Sequence, residues 1–303
     1  HSLLSVPLCL KGRIVGAINV FNKRTDEGFT DADKRLLTII ATQSAQVIEN
    51  TRLSEEEIAL QLMKEEMRLA YNIQMSLLPK NPTVEGYDIA GKSIPAKTVG
   101  GDYFDFMETG PNCLCLCLGD VSGKGMPAAL LMSNLQATLR GQAMQDCIPD
   151  SCIKKSNVLL YRSTTTDKFA TLFYGMLNTE EHQLCYCNAG HNWPFLFKAN
   201  GETLRLDLGG PVLGIIEDFA YSGDSVQLDP GDLLIIFSDG ITEAIDEKET
   251  MFDEENLEKV VRQNMANSSV EIIDIIIKSV DDHAGSMAQM DDMTLVVLKR
   301  NPS

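Results

Sequence analysis

The stretch Thr98–Gly125 restricts the fold of this chain more than any other. It reads TVGGDYFDF, a short break, CLCLCLGD and then VSGKGMPAALL. Cys113, Cys115 and Cys117 alternate with Leu114, Leu116 and Leu118, the period-two pattern of a strand with two different faces. Acid-bearing turns flank it, Gly100-Gly101-Asp102 before and Gly119-Asp120-Val121 after. Glycine beside an acid lets the backbone turn sharply and come close to whatever the carboxylate holds. Two more acidic turns lie far downstream: Ser238-Asp239-Gly240 after DLLIIF, and Asp291-Asp292-Met293-Thr294 before LVVL. Any one of these acids alone reads as a turn residue, because Asp is common in turns. Four such clusters at the ends of hydrophobic strands predict carboxylates that converge to bind metal.

Composition narrows the function classes. At 303 residues the chain has room for about two domains. Its net charge is −17, from 43 acids and 26 bases. No basic stripe is present, which argues against nucleic acid and against anionic membranes as partners. No apolar run approaches the roughly 18 residues of a membrane span. The eight cysteines do not read as a disulfide framework. No signal peptide opens the chain, and Cys185 and Cys187 repeat the strand alternation, as small buried thiols in a reducing cytosol do. No CxxC pair supports zinc. The expected location is cytoplasmic.

In chain order, residues 1–30 read as a hairpin turning at Lys11-Gly12. SVPL, GRIVGAINVFNK, Gly28-Phe29-Thr30-Asp31-Ala32-Asp33 and LLTIIATQSAQVIENTRL resemble the C-terminal end of a GAF sensor domain, over about fifty residues. Thr30 and Asp33 predict a variant capping box. From Asp31 to Leu78 there is neither Gly nor Pro, which permits one helix of roughly 70 Å. Ile58, Leu62, Leu69 and Ile73 form an apolar stripe on it, widened by Met63 and Met67. The stripe fits a helix packed on its own domain or a coiled-coil connector between two copies, and the second is the expectation adopted. Pro79 and Pro82 end the helix. The predicted organisation is a sensor fragment over 1–50, a helical linker over 51–83 and a catalytic domain over 84–303. Helices are expected near Pro127–Ala143, Ser151–Arg162, Glu254–Asn264 and Val270–His283, among many antiparallel strands. The fold class is α+β, with two antiparallel sheets packed between helical layers.

Hard divalent cations prefer carboxylate and carbonyl oxygens. Two of them about 3.5–4 Å apart can share and acidify a water. Asp120 is the bridging candidate, with the Val121 carbonyl beside it. Asp239 and Asp291 complete one metal, and Asp102 helps hold the other.

GGDYFDF, LGDVSGKGMPAALLM, FATLFYGML, NAGHNWPFL, FSDGITEA and DDMTLVVL resemble, in order, the motifs of PPM-type metal-dependent protein phosphatases of the SpoIIE/RsbU-like group, over roughly Val84–Arg300. The resemblance implies two manganese or magnesium ions and a phosphoserine or phosphothreonine protein substrate, an anti-sigma-factor antagonist. By position it assigns Asp102, Asp120, the Val121 carbonyl, Asp239 and Asp291 to the metals, and no protein nucleophile. Asp292 falls beside a ligand position, and Asp105 is expected to act through water. No Arg is found beside the acidic clusters to clamp phosphate, and Lys97 is read as the nearest base. His191 reads as a loop hydrogen-bonder before a general acid, and His283 as a helix-face residue. Ser122-Gly123-Lys124-Gly125 lacks the full phosphate-loop pattern and is discounted. The rival readings are a non-catalytic sensor-adaptor dimer and a two-metal nuclease, the latter disfavoured by charge.

Overall fold

The computed structural model describes residues 1–24, 26–165 and 167–302. The chain divides into two compact units, His1–Arg68 and Leu69–Ser303. In the first, β1 (Leu3–Leu10) and β2 (Arg13–Phe21) form an antiparallel hairpin. Lys11 and Gly12 take φ of 45° and 81°, the left-handed pair that a two-residue hairpin turn needs. Val6 and Leu8 pack with Leu37, Ala41 and Ala45 of helix α1 (Asp31–Leu77). The cap is present: Thr30 N donates to Asp33 Oδ2 at 2.7 Å and Asp33 N donates to Thr30 Oγ1 at 3.3 Å. The predicted uninterrupted helix therefore forms, and the boundary between the units falls within it. Ile58, Leu62, Leu69 and Ile73 are all exposed along it.

The second unit continues with β3 (Tyr87–Ile94), β4 (Tyr103–Gly110), β5 (Cys113–Val121), α2 (Met126–Ala143), α3 (Pro149–Ser163), β6 (Ala170–Asn178) and β7 (Gln183–Ala189). Then follow β8 (Phe195–Phe197), β9 (Thr203–Arg205), β10 (Gly209–Gly210), β11 (Asp224–Gln227), β12 (Leu233–Phe237), α4 (Asp239–Thr242), α5 (Asp253–Asn264), α6 (Ser269–Ala284) and β13 (Met293–Arg300). One sheet has the order β10-β7-β6-β5-β4, with β11 also on β7; the other has the order β3-β13-β12-β8-β9. Pairing is antiparallel except at the edge, where β10 runs parallel to β7.

Strand alternation sorts three cores. Leu114, Leu116 and Leu118 face Leu234, Ile236, Val296 and Leu298 between the sheets. The opposite face of β5, with Cys115 and Cys117, packs under Met132, Leu135 and Leu139 of α2 and Ile153 and Leu160 of α3. On the far side, Ile235, Phe237 and Val297 pack under Leu257 of α5 and Ile272 and Ile276 of α6. The result is helix, sheet, sheet, helix, as two amphipathic sheets with helical covers require.

One buried ion pair fastens α2 to its sheet. Asp105 is fully buried, and its carboxylate accepts from Arg140 Nε at 2.6 Å and Nη2 at 3.0 Å, and from Tyr103 OH at 2.5 Å. The expected water-mediated metal role for Asp105 is thereby corrected: the guanidinium takes both oxygens. Arg140→Met is expected to leave an under-compensated buried charge. The cost should be about 2–3 kcal/mol, less than a fully buried pair because Arg140 is half exposed. A urea unfolding midpoint equal to wild type would contradict this.

Candidate metal centre

The acidic turns meet where the two sheets end side by side. Asp120 and Val121 close β5, Asp239 opens α4 one residue beyond β12, and Asp291 and Asp292 immediately precede β13. Asp102 precedes β4 and is buried, with its Oδ2 lacking any hydrogen-bond partner. The loop before it is packed without slack: a Cβ on Gly100 would lie 2.2 Å from Asp292 Oδ2.

Asp292 is structural in its contacts. Its carboxylate accepts from Ala96 N at 2.8 Å, Gly101 N at 2.6 Å and Asp102 N at 3.4 Å. Its carbonyl accepts from Ser238 Oγ at 3.0 Å. From α1, Gln74 grips the same loop: its amide donates to Gly100 O at 2.7 Å and accepts from Gly100 N at 3.0 Å.

The electrostatics are those of crowded carboxylates. Burial first, then Asp239, Asp291 and Asp292, hold the Asp120 carboxyl up at about 7. Burial, with Asp120 and Asp292 nearby, pushes Asp102 well above the ordinary carboxylate range. Burial and Asp291 push Asp239 in the same direction. Among the described residues, no three of these acids bring one oxygen each within 4.8 Å of one another. The donor set is oxygen throughout, its most buried member has an unpartnered oxygen, and each shift comes from burial first and neighbouring carboxylates second. The residues fit hard divalent cations.

Lys124 supplies the one nearby base that sequence reading missed. Its ammonium lies 2.7 Å from Asp291 Oδ2 and donates to Met290 O at 2.8 Å. Nothing in a Gly-Lys-Gly loop announces a partner so far along the chain. Beside Asp291 opens a cleft of about 330 Å³, lined among others by Lys124, Glu243, Asp281, Met287 and Met290. His191 is buried, and its Nδ1 lies 2.8 Å from Thr171 Oγ1, which in turn accepts from Asp120 N at 3.3 Å. Burial lowers its pKa to about 3, so it is neutral and has no imidazolium proton to give as a general acid. His283 bonds Thr250 O at 2.9 Å, away from these acids in its contacts.

The sequence profile described as Stage II sporulation protein E (SpoIIE) matches residues 110–301. The chain belongs to the SpoIIE family. A GAF domain profile matches residues 1–49 of this SpoIIE-family chain. Phosphoserine phosphatase RsbU of Bacillus subtilis is 33% identical over 245 residues, which cover 79% of this chain and 71% of RsbU. Protein IcfG of Synechocystis is 28% identical, over 78% of this chain but only 42% of IcfG. The SiaA-PP2C domain of Pseudomonas aeruginosa superposes with a TM-score of 0.70 over 80% of this chain and 98% of that one. At 19% identity that likeness shows the fold. The family places the chain among metal-dependent serine/threonine phosphatases.

The carboxylate shifts predict an unusual pH dependence for metal-free protein. A folded Asp120 pKa near 7, against an ordinary 3.8, means the folded state binds the proton more tightly. In EDTA, stability should therefore fall as pH rises from about 4 to 7, by a few kcal/mol at most. Asp120→Asn should flatten this fall and raise the melting temperature at pH 8. Thermal unfolding across pH tests it; wild-type stability rising through that window would refute it.

Proposed function

We propose that this chain hydrolyses phosphoserine or phosphothreonine on a partner protein, a phosphorylated anti-sigma-factor antagonist, in the cytoplasm. Residues 84–303 are the catalytic domain. Asp102, Asp120, the Val121 carbonyl, Asp239 and Asp291 hold two divalent cations, manganese or magnesium. The carrying observation is the meeting of oxygen donors from separate segments at the adjoining ends of two sheets, with their pKa values pushed upward by burial and then by mutual repulsion. When bound, the cations acidify the attacking water and neutralise the phosphoryl oxygens. The chain's own residues supply placement. Asp292 fixes the Gly100–Asp102 backbone. Thr171 and neutral His191 back the Asp120 strand end. Lys124 puts a positive charge beside the cleft that an anionic phosphoprotein would enter.

EDTA should abolish phosphate release, and manganese or magnesium should restore it. Asp120→Asn should lower turnover at least about 100-fold at saturating manganese, roughly 2.7 kcal/mol of barrier. Phosphate release from a phosphoserine protein is the readout. Turnover within tenfold of wild type would remove Asp120 from the metal set, and no turnover in the wild type would favour the sensor-adaptor reading.

Residues 1–50 act as sensor and 51–83 as linker in this proposal. The chain forms a homodimer through Ile58, Leu62, Leu69 and Ile73, and the linker sets the state of the catalytic site. Two features support this: the exposed apolar stripe of α1, and the two-way grip of Gln74 on Gly100, two residues from Asp102. Leu62→Glu with Leu69→Glu should halve the molar mass by light scattering and shift the manganese dependence of activity, because each would place a charge in an apolar seam. Unchanged mass would end the dimer proposal. Halved mass with unchanged manganese dependence would reduce the linker to a spacer.

A further inference from the structure

The helix-covered face of the first sheet carries thiols where aliphatic side chains would pack as well. Cys115, Cys117, Cys152 and Cys187 are buried there. Fully enclosed thiols of this kind serve as small apolar side chains. A second set behaves differently. Cys113 and Cys115 stand two residues apart on β5 and so share a face. Cys147 reaches them from the turn between α2 and α3. One sulfur from each lies within 4.8 Å of the other two. Cys113 and Cys147 are only half buried, which leaves an approach from solvent, while Cys115 forms the floor. Thr109 Oγ1 lies 3.2 Å from Cys113 Sγ and 3.5 Å from Cys115 Sγ, a hydroxyl placed between two sulfurs. Among the described residues these three form the only group of His, Cys, Asp or Glu ligand atoms gathered so closely. None of them contributes to the carboxylate centre.

We propose that Cys113, Cys115 and Cys147 form a binding site for a soft, thiophilic cation, monovalent copper. Three sulfurs about 2.3 Å from one ion stand about 4 Å apart, which fits a trio whose sulfurs all lie within 4.8 Å of one another. Thiolates select copper(I) and zinc over hard cations. Structural zinc sites take four protein ligands, and the trio has no His or carboxylate to offer as a fourth. Copper(I) is satisfied by three. The absence of a CxxC pair, which argued against zinc on sequence, does not bear on a site whose third ligand comes from another element. Burial pushes the Cys115 thiol up to about 12 and raises Cys113, so both are protonated without a cation. Each sulfur that ligates therefore releases a proton to solvent, and affinity rises with pH. No change in oxidation state is involved. The bound ion would tie the α2–α3 turn to the start of β5.

The test uses the full reduced chain, titrated anaerobically with copper(I) against a chromophoric copper(I) chelator. The wild type should withdraw one equivalent and gain the ultraviolet charge-transfer absorption of copper thiolate. Cys113→Ser and Cys147→Ser, both at half-exposed positions, should each weaken binding at least tenfold. Cys9→Ser, an exposed thiol in the other unit, should bind as wild type. Manganese-dependent phosphate release and far-ultraviolet circular dichroism should be unchanged in all three variants without copper, which separates loss of the site from loss of the fold. Failure of the wild type to withdraw copper would overturn the proposal, as would copper that excess zinc displaces. Copper bound equally by Cys113→Ser and Cys147→Ser would place it on other thiols. A Cys113–Cys147 disulfide formed with oxidised glutathione, in protein that withdraws no copper when reduced, would assign the trio to redox chemistry instead.

Discussion

The acid-bearing ends of both sheets are tied to one carboxylate. Asp292 accepts the amides of Ala96, Gly101 and Asp102, and its carbonyl accepts the Ser238 hydroxyl. Ala96 follows β3 and Asp102 precedes β4, so the carboxylate alone spans strands from different sheets. The carbonyl adds the segment between β12 and Asp239. This knot ties the Asp102 turn to the Asp239 and Asp291 turns, which the pairing of β12 with β13 already holds together. Three backbone amides already take up most of the lone-pair sites on the two carboxylate oxygens of Asp292. Asp292 is therefore better suited to fix the backbone than to share its oxygens with a cation, although it stands beside a candidate ligand in sequence.

The same corner has an electrostatic cost that the fold accepts elsewhere. Asp102, Asp120 and Asp239 are pushed toward the neutral form by burial and by one another. The well-sorted cores on both faces of each sheet supply the rigidity that holds such groups together. Lys124 offsets part of the charge at Asp291, and Arg140 does the same for Asp105 one layer away. The two bases differ in consequence. Arg140 is committed to a buried partner and sets where α2 lies. Lys124 sits in a loop at a cleft, half exposed, and its pair with Asp291 is open to solvent.

Much of this was readable from residue order. The Cys-Leu alternation over 113–118 gave the strand and both of its neighbours, because a two-residue period admits one face per residue type. The absence of Gly and Pro after Asp31 gave α1 to within a residue of its end. The helix expected from Pro127 starts one residue earlier, and those expected near Ser151 and Glu254 start two and one residues earlier. Short elements had no such signal: α4 has four residues and β10 two, too few to show any period. The errors at the site were errors of distant pairing. Asp105 looked like a metal-shell acid because Arg140 lies 35 residues on. Lys124 was passed over because Asp291 is brought to it only by the packing of the two sheets. The third thiol of the Cys113 group was invisible for the same reason.

Strand β5 also explains how hard and soft donors can coexist in one small domain. Its alternation puts sulfur on the helix-covered face, and its last two residues put oxygen at the junction of the sheets. From Cys115 to Asp120 the strand runs roughly 17 Å, at about 3.3 Å per residue. No cation can sample both sets at once. Under the proposals made above, manganese or magnesium, which thiolates hold poorly, would take the oxygens at one end, and a thiophilic ion the sulfurs at the other. A strand is stiff enough to keep that separation and straight enough to register a pull at either end. Fixing the α2–α3 turn to the start of β5 would therefore act on the helix that follows the Asp120 loop, through covalent continuity and the Asp105–Arg140 pair and without any contact between the two centres.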